Sequence, residues 1–123
     1  MGDAQQAEFW IACADGDLKV VKALHSNGAS IETMMEGWTP FTVACFYNHR
    51  DVIEYLLSKG ASIDKPMDTG STGLYLACEN NHCNAIELLL AKGSDIEARN
   101  NQGGTPLYIS SQEGNCEAIE LLL

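Results

Sequence analysis

Positive charge is scarce in this chain. Its 123 residues hold seven Lys and Arg against seventeen Asp and Glu, for a formal net charge of -10. Nucleic-acid binding is driven by neutralising phosphates with Lys and Arg, so this composition argues against DNA or RNA as a ligand and favours basic partners. Long apolar runs are missing as well, since none approaches the roughly 20 residues needed to cross a bilayer. The start, MGDAQQAEFW, has neither the basic head nor the apolar core of a secretory signal, and Gln6 stands where a myristoylation motif requires Ser or Thr. No membrane association is expected, and the expected location is cytoplasmic or nuclear. There is no Gly-rich phosphate loop with its Lys, and no Ser or Cys nucleophile motif. Catalysis, a cofactor and a metal are therefore not expected of these residues.

What the chain does have is a repeat. Thr39, Thr72 and Thr105 are 33 residues apart, as are Ile53, Ile86 and Ile119, and Leu56, Leu89 and Leu122. Thr-Pro at 39 and 105, a small-residue pair (Ala44-Cys45, Ala77-Cys78, Ser110-Ser111), Asn or Gly at 48, 81 and 114, and a Leu-Leu pair before Gly60 and Gly93 recur in fixed order. In this pattern the chain resembles the ankyrin repeat, a turn plus two helices with a TPLHxA-like start and a period of about 33 residues. The resemblance implies one all-α domain over residues 1–123, a solenoid of paired antiparallel helices joined by extended β-turn loops. Its repeats fall at about 3–35, 36–68, 69–101 and 102–123, the last incomplete. Four units clear the roughly three that a stacked array needs.

The five cysteines follow the repeat: Cys13, Cys45 and Cys78 share one position, and Cys83 and Cys116 another. Helices of adjacent repeats stack roughly 8–10 Å apart, beyond the ~7 Å Cα separation of a disulfide and far beyond a shared ~2.3 Å zinc bond. They are read as reduced thiols, three of them small buried hydrophobes.

Taken in order, the first repeat preserves Phe9, Ala12 and Cys13 without a Thr-Pro start, and Asp3 with Gln6 is expected to cap its first helix. Val20, Val21 and Leu24 should form the apolar face of its second helix, with His25 in place of the second Leu. Gly28 should end that helix. The loop from Ala29 to Trp38 is one residue shorter than its two successors. Repeat two should start its inner helix at Thr39-Pro40 and run its outer helix from about Arg50 to Ser58. Gly73 replaces the expected Pro, which should loosen that helix start slightly. Leu123 aligns with Leu90, before any helix-closing Gly, so the chain is expected to be part of a longer array. A monomer is expected, with the uncapped last repeat as a route to self-association.

The histidines point to packing: His49 and His82 share one repeat position and are read as making helix-start hydrogen bonds. Trp10, Tyr75 and Tyr108 stand where the family usually has His and are read as structural. The resemblance places recognition on the turn tips and the exposed side of each inner helix, on a concave face. Carried over by position, that face comprises Ala14 and Asp15; Glu36, Trp38, Phe46 and Tyr47; Asp68, Thr69, Ser71, Glu79 and Asn80; and Asn101, Gln102, Gly104, Gln112 and Glu113. Trp38, Phe46 and Tyr47 are expected to anchor a partner, and Asp15, Glu36, Asp68 and Glu79 to select one that carries Lys or Arg. The competing reading is that Phe46 or Tyr47 packs, half buried, against the neighbouring turn. The family's Asn hydroxylation has no acceptor here, because Glu32, Asp64 and Glu97 occupy the matching positions. The function implied is protein binding without catalysis. The alternative is a targeting or regulatory segment of a larger enzyme, such as a kinase or ubiquitin ligase.

Overall fold

The computed structural model describes residues 2–123. Among them eight helices follow one another: α1 (Asp3–Asp15), α2 (Leu18–Ser26), α3 (Pro40–Phe46), α4 (Arg50–Ser58), α5 (Gly73–Glu79), α6 (Cys83–Ala91), α7 (Pro106–Gln112) and α8 (Cys116–Leu122). Odd-numbered helices stack on one another as an inner layer, even-numbered ones as an outer layer, and each consecutive pair packs together. The architecture is the expected all-α solenoid. Its core runs through every layer boundary, with Phe9, Phe41 and Leu74 in register along the inner layer and Val21, Ile53 and Ile86 along the outer.

The helix starts follow from side-chain chemistry. Oγ1 of Thr39, Thr72 and Thr105 accepts from the amides of Thr42, Tyr75 and Tyr108 at 2.9, 3.3 and 3.1 Å, satisfying donors that the helix itself leaves unpaired. In the second repeat Thr42 returns the bond to the Thr39 amide at 2.9 Å, so two threonines form a reciprocal cap. Gly28, Gly60 and Gly93 close the outer helices with φ of 104°, 94° and 87°.

Three details differ from the sequence reading. Asp3 is the first helical residue and does not cap; Gly2 precedes it, and its amide donates to Gln5 Oε1 at 3.3 Å. Gln6 instead bonds both the carbonyl and the amide of Ser30, at 2.8 and 2.9 Å, tying the first helix to the loop after α2. Val20 is 39% exposed although its equivalent Val52 is fully buried, because this position faces the preceding repeat and none of the described residues lies there. Gly73 has a packing reason as well: a Cβ at that position would sit 2.6 Å from Cys45 Sγ and 3.0 Å from Phe41. The Thr72 cap is the longest of the three, in keeping with a slightly looser start.

The short loop has a distinct turn. Met35 and Trp38 exchange both backbone hydrogen bonds, at 2.9 and 3.0 Å, around a two-residue turn with Glu36 and Gly37 at φ of 52° and 88°. Positive φ at both central residues marks a type I′ hairpin. In the later loops Met67 pairs with Ser71 and Asn100 with Gly104, each around three residues that end in a left-handed glycine, Gly70 or Gly103. The extra residue gives the wider turn. Successive hairpins are joined edge to edge, Asp68 N–H to Gly37 O at 2.8 Å and Asn101 N–H to Thr69 O at 2.9 Å.

Polar side chains tie each repeat to the next. His49 and His82 stand at the N-caps of α4 and α6 but make no bond to their own helix. Their Nε2–H groups donate backwards, to Ala14 O at 2.8 Å and Phe46 O at 2.9 Å. Asn115 does the same from the fourth repeat, donating to Cys78 O and Glu79 O. The bonds are real; their acceptors lie one repeat away from where the sequence reading put them. In the other direction Asn48 and Asn81, held at φ of 62° and 55°, accept from the amides of Ala85 and Ala118.

Two stability outcomes follow. His82→Ala strands the Phe46 carbonyl and is expected to cost about 1–3 kcal/mol in urea unfolding, whereas His82→Asn, which copies Asn115, should recover much of that loss. Gly73→Pro restores the family's usual residue yet is expected to destabilise by about 1–3 kcal/mol through overpacking. Combining it with Cys45→Ala should cost less than the sum of the two single changes, a coupling that a double-mutant cycle reads directly.

Candidate functional site

The hairpins and the inner helices bound an open groove of about 630 Å³ across repeats two to four. Trp38, Phe46, Met67, Tyr75 and Leu76 supply its apolar surface; Asp68, Thr69, Ser71, Glu79, Asn100, Asn101 and Gln102 its polar one. The type I′ turn delivers Trp38, and the C-terminal end of α3 delivers Phe46. Their rings meet edge to face with centroids 5.1 Å apart, and Phe46 meets Tyr47 likewise at 5.0 Å. Tyr47 continues the row to His49, stacked at 6.3 Å. Trp38 and Phe46 are half buried and Tyr47 is 52% exposed. Phe46 thus packs against the neighbouring hairpin, while Tyr47 stands out in solvent.

Eight of the expected face residues, Trp38, Phe46, Asp68, Thr69, Ser71, Glu79, Asn101 and Gln102, come together at this groove. Ser71 is a buried part of its floor at 4% exposure, where its Oγ accepts from Thr69 Oγ1 at 3.0 Å. The other eight lie outside the groove lining, the buried Gly104 among them. Ala14 is half buried, and its carbonyl accepts from His49; Asp15, Glu36, Gln112 and Glu113 are exposed. Asn80 is exposed too and donates to Leu76 O at 2.9 Å, closing its own helix. Met67, Tyr75, Leu76 and Asn100 line the groove without having been expected there. Only Tyr75 carried a sequence signal, as a large polar aromatic at the family's His position. At 8% exposure it fits the structural reading, but Tyr108 is 57% exposed. The hairpin that covers Tyr75 has no counterpart over Tyr108 within these residues. Trp10 is half buried, with an indole N–H that is buried and without a partner.

Electrostatics divide the molecule by face. α1, α3, α5 and α7 contain no Lys or Arg. Lys19, Lys22 and Arg50 lie in outer helices, and Lys59 and Lys92 at outer-helix C-caps. Lys65 is engaged by Glu32 at 3.2 Å, and Arg99 donates to Gly103 O. On the inner side burial, and then the charge of Glu113, raises the Glu79 pKa above the ordinary carboxylate range. Burial followed by the charge of Glu79 likewise raises Tyr75, against a hydrogen bond from Asn100. Burial also pushes the Cys13 thiol up to about 12 and Cys78 to about 11, so these thiols stay protonated in the core. Among the described residues no three His, Cys, Asp or Glu side chains are grouped to hold a metal ion. No helix among the described residues is long and apolar enough to cross a membrane.

A stack of helical hairpins with an open groove along its inner layer defines a repeat scaffold whose chemistry is that of a binding surface. The family model for ankyrin repeats, in three copies, matches residues 6–67 and again 62–123, and the chain belongs to the ankyrin repeat family. Ankyrin repeats are in general non-catalytic protein–protein interaction modules. Among its relatives are the eye-specific diacylglycerol kinase of Drosophila melanogaster, 39% identical over 49 residues (39% of this chain, 3% of that protein). Tyrosine-protein kinase HTK16 of Hydra vulgaris is 40% identical over 53 residues (42% and 7%). Notch-regulated ankyrin repeat-containing protein A of Danio rerio is 41% identical over 59 residues (47% and 53%). The matches span 3% to 53% of these proteins' lengths.

The raised Glu79 pKa has a measurable consequence. A carboxyl that binds its proton more tightly when folded contributes stability at low pH, which is lost as the pH rises through its native pKa. Glu79→Gln is therefore expected to be more stable than the wild type near neutral pH. The two should converge as the pH falls through that native pKa towards the ordinary value of 4.5, as read by urea midpoints across that range.

Proposed function

We infer that this array is a recognition module that binds a partner protein on its concave face and has no catalysis of its own. Trp38, Phe46 and Tyr47 act as the apolar anchor, and Asp15, Glu36, Asp68 and Glu79 favour a partner bearing Lys or Arg. The observation that carries this reading is an aromatic row beside an open groove, on an inner layer without a single cation. Rigid aromatic side chains bury much area at little entropic cost, and carboxylates around them select by charge. Nucleic acid is disfavoured on the same ground. The setting is cytoplasmic or nuclear and the array works as a monomer.

A second reading, a targeting or regulatory segment within a larger enzyme, is supported by the two kinases among the relatives, in which the match occupies only 3% and 7% of the protein. It keeps the binding role and adds a catalytic domain elsewhere, to be sought in the complete reading frame.

The test is affinity capture from a cell lysate on the wild type and on a Trp38→Ala, Phe46→Ala, Tyr47→Ala variant of matched circular dichroism. A protein held by the first and at least about tenfold depleted on the second is the expected outcome. Retention of the same proteins by both would overturn the aromatic anchor.

A further inference from the structure

Several carboxylates on the outer side and in the loops are engaged: Glu32 accepts from the Ser62 amide and pairs with Lys65, Asp64 accepts from Ser94 Oγ and the Asp95 amide, and Glu54 pairs with Arg50. Asp68 and Glu79, which face the groove, pair with no Lys or Arg among the described residues. They share it with Trp38, Phe46 and Tyr75, which offer ring surface within the same 630 Å³. Carboxylates without counter-ions beside aromatic faces, Glu79 half buried and Asp68 exposed, suit one kind of side chain in particular. A guanidinium can bond a carboxylate through its edge while its plane lies against a ring, and its charge never titrates away.

The groove's volume falls within the ~300–1,000 Å³ of sites that enclose a small ligand, room for a few side chains. Its walls are three hairpins on one side and α3 and α5 on the other, an open slot that a chain can lie along. We propose that this groove takes an extended segment of the partner protein, with an arginine seated against Asp68 and Glu79 and an adjacent apolar residue against Trp38 and Phe46. The proposal rests on the concave-face reading above and names the chemistry that this face selects.

The probe is a random linear dodecamer library displayed on phage and selected on the 123-residue array. The expected result is enrichment of peptides that pair arginine with a nearby aliphatic or aromatic residue. The most enriched sequence, made synthetically, should bind an Asp68→Asn, Glu79→Gln variant at least about tenfold more weakly than the wild type. It should bind Glu120→Gln, an exposed change on α8, within about twofold, and should weaken severalfold as salt is raised from about 0.05 to 0.3 M. Equal unfolding midpoints or a more stable double variant would show that the loss is one of recognition. Failure of any peptide to enrich, enrichment without arginine, or an unchanged affinity for the double variant would each overturn the proposal. Such a failure beside an aromatic-dependent partner in the lysate capture would leave the concave-face reading standing, with a folded surface as its ligand. If that capture shows no aromatic dependence either, both readings fall.

Discussion

The stacking register depends on a donor at the start of each outer helix that reaches back to the carbonyls ending the previous inner helix. A seven-residue helix leaves a large share of its carbonyls without an intrahelical partner, and at this depth water cannot serve all of them. His49, His82 and Asn115 supply the donors, to Ala14, Phe46, and Cys78 with Glu79 respectively. Asn48 and Asn81 reciprocate by accepting amides of the following repeat. The second and third interfaces are thus closed in both directions, while the first has only the His49 donor of this set because Gly16 stands at the Asn48 position. No helix of the stack can slide along its neighbour without breaking such a bond. A fixed register is what brings Phe46, Glu79 and Gln112, the last residues of three inner helices, into line. The groove exists because the stack cannot slip.

Much of this was legible in the amino-acid sequence, for an identifiable reason. Helix positions follow from the recurrence of Thr-Pro, Leu-Leu and Gly, signals that act within one repeat, and α4 lies where its spacing put it, Arg50 to Ser58. What escaped were interactions between residues about 24 to 37 positions apart, which a period reveals only as coincidence. His82 could be seen to repeat His49, but nothing in the chain said that its ring would turn towards Phe46 and away from its own helix. Gly73 read as a lapse from the pattern until Cys45 Sγ appeared where a Cβ would go. Gln6 looked like a cap and proved to be a tie to Ser30. The site was only partly legible for the same reason: position along the repeat found Trp38, Phe46, Asp68, Thr69, Ser71, Glu79, Asn101 and Gln102, while Met67, Leu76 and Asn100 joined them through packing alone. Exposure depended on neighbours too, which is why Tyr75 is buried and Tyr108, at the same repeat position, is not.

The one-residue difference among the loops shapes the aromatic end of the groove. A two-residue turn with positive φ at Glu36 and Gly37 brings Trp38 back into pairing with Met35, and the Trp38 ring lands on the edge of Phe46. The later, wider turns end in Gly70 and Gly103 and bring forward Asp68, Asn101 and Gln102. Gly37 is a glycine for its φ of 88°, and the exposed Asp68 carboxylate lies where a Cβ would be. The same close approach permits the 2.8 Å bond from the Asp68 amide to the Gly37 carbonyl, which fixes the first acidic residue of the groove beside the hairpin that carries its aromatic wall. Local turn chemistry therefore decides which end of the concave face is apolar and which is acidic, and the constancy of the stack converts that choice into an ordered surface.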